Sequence, residues 1–134
     1  MKIYCCGCKK ETDCHLKTGA DIYKNWKAKK LEDAQRVANS YFWQCPICNL
    51  YVGCHPKSKM PLGALPTQRL RRARLQIHRI LDPLWKNGKN RRDKRTEIYT
   101  KLSKDLGYEY HTAAIIDIEE AKRIYRIIQG YYNQ

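Results

Sequence analysis

The chain has 134 residues, with 27 Lys or Arg against 13 Asp or Glu and a formal net charge of +14. That length suits one domain with a modest core, and the absence of any run of about 18 apolar residues excludes a membrane-spanning helix. The opening MKIYCCGCKK has no apolar h-region of a secretory signal, so the expected compartment is the cytoplasm, where thiols stay reduced.

In chain order, residues 3–18 read as a strand, a knuckle turn and a second strand. The segment 25–40, NWKAKKLEDAQRVANS, reads as a helix, with Leu31, Ala34, Ala38 and Tyr41 at helical spacing. YFWQCPICNLYV has aromatic and β-branched residues around Cys-Pro-x-Cys and reads as a second hairpin. HPKSKMPLGALP is a loop. Thr67 is placed to cap a long helix running to about Trp85, whose apolar face is Leu70, Ala73, Ile77, Leu81 and Leu84. KNGKNRRDK reads as a basic loop, and a helix from about Asp93 to Leu106 should end at Gly107. Tyr108 to Ile116 carries no decisive pattern. Asp117 and Glu120 resemble a capping box before a last helix, with Ala121, Ile124, Tyr125 and Ile128 on its buried face.

Two stretches share the template Cys-x2-Cys-x5-Cys-His: Cys5 to His15 and Cys45 to His55. Seven cysteines is an odd number, and paired CxxC turns in a reducing compartment point to metal ligation before disulfides. In each turn two thiolates project to one point, so Cys5, Cys8, Cys45 and Cys48 are the expected ligands of one structural Zn2+. Cys6 competes with Cys5 through the less usual Cys-x-Cys bite. A redox dithiol is less favoured, because no βαβ pattern surrounds either pair. Cys14, His15, Cys54 and His55 would form a second site only if the two hairpins faced each other. Adjacent Cys and His on a strand point to opposite faces, which works against it.

The charge is uneven. Lys57 to Arg95 holds thirteen Lys or Arg and two acids, Asp82 and Asp93, whereas the last thirty-four residues hold five of each sign. Such a segment points to a polyanion, most often nucleic acid, DNA or RNA. Arg71, Arg74, His78, Asp82 and Trp85 share one side of the predicted helix. One reading makes this stripe a nucleic-acid-binding surface, extended by Arg69, Arg72, Arg79, Lys86, Lys89, Arg91 and Arg92, with Trp85 stacking on a base. A second makes it an internal polar network with solvated arginines. A third makes His78 the general base of a nuclease, held by Asp82, with His55 as a further candidate and Arg71 and Arg74 stabilising the transition state. No His-Asn-His arrangement, carboxylate cluster or Gly-rich phosphate loop supports the third, and the binding surface is the preferred reading.

CPICNLYVGCH, then PLGALP, then LRRARLQIHRILDPLW resemble a zinc-finger-containing family of uncharacterised phage and bacterial proteins. The likeness spans roughly residues 3–125 and rests on Cys5, Cys8, Cys45, Cys48, the Tyr51-Val-Gly-Cys54-His55 stretch, Gly63, Arg71, Arg74, His78, Asp82 and Trp85. Tyr99, Leu102, Gly107 and His111 match more weakly. GALP replaces the family's Gly-Thr-Leu-Ala, the helix at 25–40 looks like an insertion, and Cys14-His15 lies outside the pattern. The resemblance implies a shape, expression in a bacterial host cell, and a third role: a phage inhibitor that binds a host nucleic-acid-handling or defence protein. The expected fold class is α+β, a small zinc ribbon of two CxxC hairpins with three to four packed helices. A single domain over 1–134 is expected, with 1–60 as the ribbon part carrying an inserted helix and 61–134 as the helical part.

Overall fold

The computed structural model describes residues 1–24 and 31–134. The fold is α+β, and the chain forms two compact units, Met1–Thr67 and Gln68–Gln134.

The first unit begins with an antiparallel hairpin of β1 (Lys2–Cys5) and β2 (Lys10–Asp13), in register Lys2 to Asp13 and Cys5 to Lys10. The strand expected to run on to residue 18 breaks at Cys14, whose N–H donates to the Met1 carbonyl at 2.8 Å. Beyond the break, β3 (His15–Thr18) joins a different sheet, of order β3-β4-β5, with β4 (Tyr41–Gln44) and β5 (Tyr51–Gly53). Period-two alternation sorts this sheet's faces. Trp43 pairs with Val52 and both reach the core, whereas Phe42, Tyr51 and Tyr23 form an edge-to-face trio with centroids 5.7 to 5.8 Å apart. Tyr41 therefore opens a strand and does not extend the preceding helical stripe.

Between β3 and β4 lie α1 (Gly19–Ile22) and α2 (Leu31–Ala38). The first half of the predicted 25–40 helix, residues 25–30, falls outside the described residues. Gly19 is where these helices touch: a Cβ there would stand 1.6 Å from the Val37 carbonyl oxygen. Only glycine permits that approach.

The second unit is helical: α3 (Gln68–Leu81), α4 (Pro83–Lys86), α5 (Arg91–Leu106) and α6 (Ile118–Tyr131), with a 3-10 turn at Thr112–Ala114. The helix expected to reach Trp85 stops at Leu81, because Pro83 has no N–H to continue the ladder. The basic loop is shorter than predicted. Arg91 and Arg92 already lie in α5, which follows Asn90 in the left-handed conformation at φ 62°. Gly107 ends α5 as expected, at φ 88°, with its N–H on the Ser103 carbonyl. Asp117 caps α6 by accepting from the Glu119 N–H at 3.1 Å. Glu120 does not complete the box: it accepts instead from Tyr108 and Arg123.

The core of this unit is Leu70, Ile77 and Leu81 of α3, Leu102 and Leu106 of α5, Tyr110, Ile115, and Ala121, Ile124 and Ile128 of α6. Tyr125, expected on the buried face, is only half-buried. The Tyr110 hydroxyl bonds that of Thr112 at 2.6 Å, and burial raises its pKa. No helix among the described residues is long and apolar enough to cross a membrane.

Candidate functional site

The residues singled out on α3 and at its end fall into three groups, beside Arg71, which is half-buried and less open than its neighbour Arg72. Arg74 is buried, at 8 % exposure, and its Nε and Nη2 donate to the Ile115 carbonyl at 3.0 and 2.5 Å. This corrects its assignment to a binding or catalytic surface. A guanidinium can fork onto one carbonyl and tie two segments together, and the segment before α6 occupies that sector of α3. His78 and Asp82 meet as the i, i+4 spacing predicts, with Nδ1 3.4 Å from Oδ1. Lys86 Nζ lies 3.4 Å from the other carboxylate oxygen, so Asp82 is shared between two partners. The third group, Arg69, Arg72 and Arg79, is exposed, as are Lys86, Lys89, Arg91 and Arg92.

Trp85 is not an open stacking platform. It is half-buried, its indole N–H is enclosed without a hydrogen-bond partner, and Lys86 Nζ and Arg95 Cζ lie 5.5 and 5.6 Å from its ring centroid. Arg95 also sits 4.1 Å over Tyr99. His55 is exposed on the loop after β5, in the other unit, with its N–H on the Met60 carbonyl. His111 is exposed beside Glu109 at 3.3 Å.

In the first unit two knuckles are built alike. The residue after each second cysteine, Lys9 or Asn49, is left-handed at φ 57° or 64°. Each donates its N–H back to the first cysteine's carbonyl, at 2.8 and 2.9 Å. These turns aim Cys5 and Cys8, and Cys45 and Cys48, at one point: the four Sγ atoms all lie within 4.8 Å of one another. Cys5 to Cys48 is 3.3 Å and Cys8 to Cys45 is 3.8 Å. A tetrahedral zinc with sulfur at about 2.3 Å places its sulfurs about 3.8 Å apart, so the cluster fits one such ion.

The protonation chemistry agrees. Burial opposes the Cys45 thiolate, but hydrogen bonds from the Thr12 hydroxyl and the N–H groups of Cys48 and Ile47 prevail and bring its pKa down to about 6. Burial, reinforced by thiol-to-thiol hydrogen bonds, pushes Cys48 up to about 12 and also raises Cys8. One negative charge is welcome in the cluster and further ones are resisted. A divalent cation supplies the missing compensation and cross-links the knuckles. Four thiolates close the coordination sphere, which makes the centre structural.

The chain matches a family described as a zinc-finger-containing domain over residues 11–131. It belongs to that family. No curated protein and no solved structure matches it significantly. The zinc-finger match begins after Cys5 and Cys8, so the first knuckle's role is carried by geometry.

Among the described residues of this zinc-finger-containing domain, the cysteine cluster is the one group of three or more His, Cys, Asp or Glu with converging ligand atoms. Cys6, the alternative to Cys5, is buried and spends its N–H on the Leu65 carbonyl. Cys14 packs in the core with its Sγ 3.4 Å from the Thr12 hydroxyl, His15 is exposed, and Cys54 is half-buried in a bridge to Pro61. Sequence reasoning missed Thr12 and Leu65. Leu65, fully buried, pairs with Cys5 from the far end of the PLGALP segment. Its apolar type among prolines was the only signal.

Proposed function

We propose that the protein binds nucleic acid, DNA or RNA, through the solvent side of α3 and the α4–α5 turn. The observation that carries this reading is an excess of exposed, poorly compensated cations. Arg79, Lys86, Lys89, Arg91 and Arg92 are all exposed, and of the segment's two acids Asp82 is already shared by His78 and Lys86. Such a surface acts mainly through phosphates and counterion release. A phage or mobile-element setting is part of this proposal and is what the sequence resemblance implies.

The test is fluorescence anisotropy of labelled single- and double-stranded DNA and RNA across a salt series. Binding at low salt should weaken steeply as salt rises, and changing Lys89, Arg91 and Arg92 together to Gln should lower the log–log slope by up to about three. No binding at low salt would sink the proposal. The His78–Asp82 hydrogen bond motivates a second reading, a nuclease. In that case His78→Ala abolishes cutting and spares binding; no cleavage with Mg2+, Mn2+ or Zn2+ removes it.

A further inference from the structure

α3 and α6 enclose a groove of about 420 Å³. Its floor is apolar, with Ala73 and Ile77 from α3 and Ala121 and Tyr125 from α6. The two alanines leave the hollow that larger side chains would fill. Both banks are cationic: Arg69 and Arg72 stand on α3, Lys122 and Arg126 on α6, and no carboxylate lines the groove. Arg69, Arg72 and Arg126 are exposed and have no acidic partner among the described residues. Lys122 has only Glu119, at 3.3 Å in an exposed pair, which is worth little.

We propose that this groove docks an acidic amphipathic helix of a partner protein. An apolar floor takes side chains at i, i+3, i+4 and i+7 of such a helix, and cations on both banks meet acids on both its flanks. A second copy of this chain is a poor occupant, since it carries +14 and brings the same cations. A single strand of nucleic acid would satisfy the banks and not the floor. Base stacking needs aromatic platforms, and Tyr125 is the one aromatic ring there. Lys122 and Arg126 lie outside the surface proposed above for nucleic acid, so the two partners are separable by mutation.

The experiment uses the zinc-loaded full chain and a synthetic labelled peptide with leucines at i, i+3, i+4 and i+7 flanked by glutamates. A permuted peptide of identical composition is the control. The amphipathic peptide should bind saturably and at least tenfold more tightly than the permuted one. Lys122→Gln with Arg126→Gln, both exposed and safe for folding, should weaken it at least tenfold. The same variant should leave the affinity for an oligo-dT strand within about threefold. Equal binding of the two peptides would reduce the groove to a charge effect and overturn the proposal, as would no saturable binding. Competition by oligo-dT, with matching loss in the double variant, would hand the groove to nucleic acid and overturn it too.

Discussion

The two units solve the problem of stability differently. The Met1–Thr67 unit has strands of three or four residues and a core cluster of Ile3, Cys5, Cys14, Cys45, Val52 and Leu65, half of it cysteine. The Gln68–Gln134 unit has three helices of 14 to 16 residues, besides the short α4, closed over a core with no cysteine. Short strands bury little apolar area, so the first unit depends on a cross-link through its thiols. The second can rest on hydrocarbon burial, at about 25 cal/mol per Å². Metal-dependent folding is therefore expected of the first unit and metal-independent folding of the second.

The sharpest way to break that comparison is to remove the metal. Chelation, or Cys45→Ser, should unfold the first unit, forfeiting on the order of 10 kcal/mol of binding free energy. Amide resonances of Gln68–Gln134 should keep their dispersion in a two-dimensional NMR spectrum. Simultaneous collapse of both sets would show that the units are not independent.

Next in size is Gly19→Ala. With 1.6 Å to the Val37 oxygen, the α1–α2 contact has to open. A loss of roughly 3 kcal/mol or more is expected in urea melts of the zinc-loaded protein. A neutral result would mean that this contact is not needed for the first unit.

Arg74→Ala tests the second unit. It leaves the Ile115 carbonyl short of donors and should cost about 2 kcal/mol, while Arg72→Ala, on the exposed side, should stay within about 0.5 kcal/mol. Equal costs would refute the division of the arginines.

The smallest effect concerns Tyr108. Tyr108 is exposed over nearly half its surface; desolvation of the covered part first, then its hydrogen bond to Glu120, push the phenol up to about 12. A raised acid favours the neutral form, so this contribution is complete below the ordinary tyrosine value of about 10 and fades as pH rises through about 12. Glu120→Gln should lower the midpoint read from tyrosine ring carbon shifts. An unchanged midpoint would leave burial as the whole cause.

The metal ligands were legible because CxxC is a local device: two residues between thiols define the bite before any long-range contact forms. Gly107 and Asp117 were legible for the same reason, since helix ends are made by backbone groups within a few residues. The break at Cys14 was not legible. His15 to Thr18 has ordinary strand composition and leaves β2 only because β4 offers its edge. Arg74 was misassigned since a helical wheel places it beside Arg71 and says nothing of the Ile115 carbonyl.

By itself, then, the sequence determined an α+β zinc-finger-containing chain with Cys5, Cys8, Cys45 and Cys48 as ligands and its cations concentrated between Lys57 and Arg95. Only the tertiary structure decided which of those cations face solvent. Successive helix positions differ by about 100°, and the packing of α6 and the preceding turn against α3 chose the sector to cover. That choice buried Arg74, left Arg79 exposed, and set Arg69 and Arg72 along the groove opposite Lys122 and Arg126.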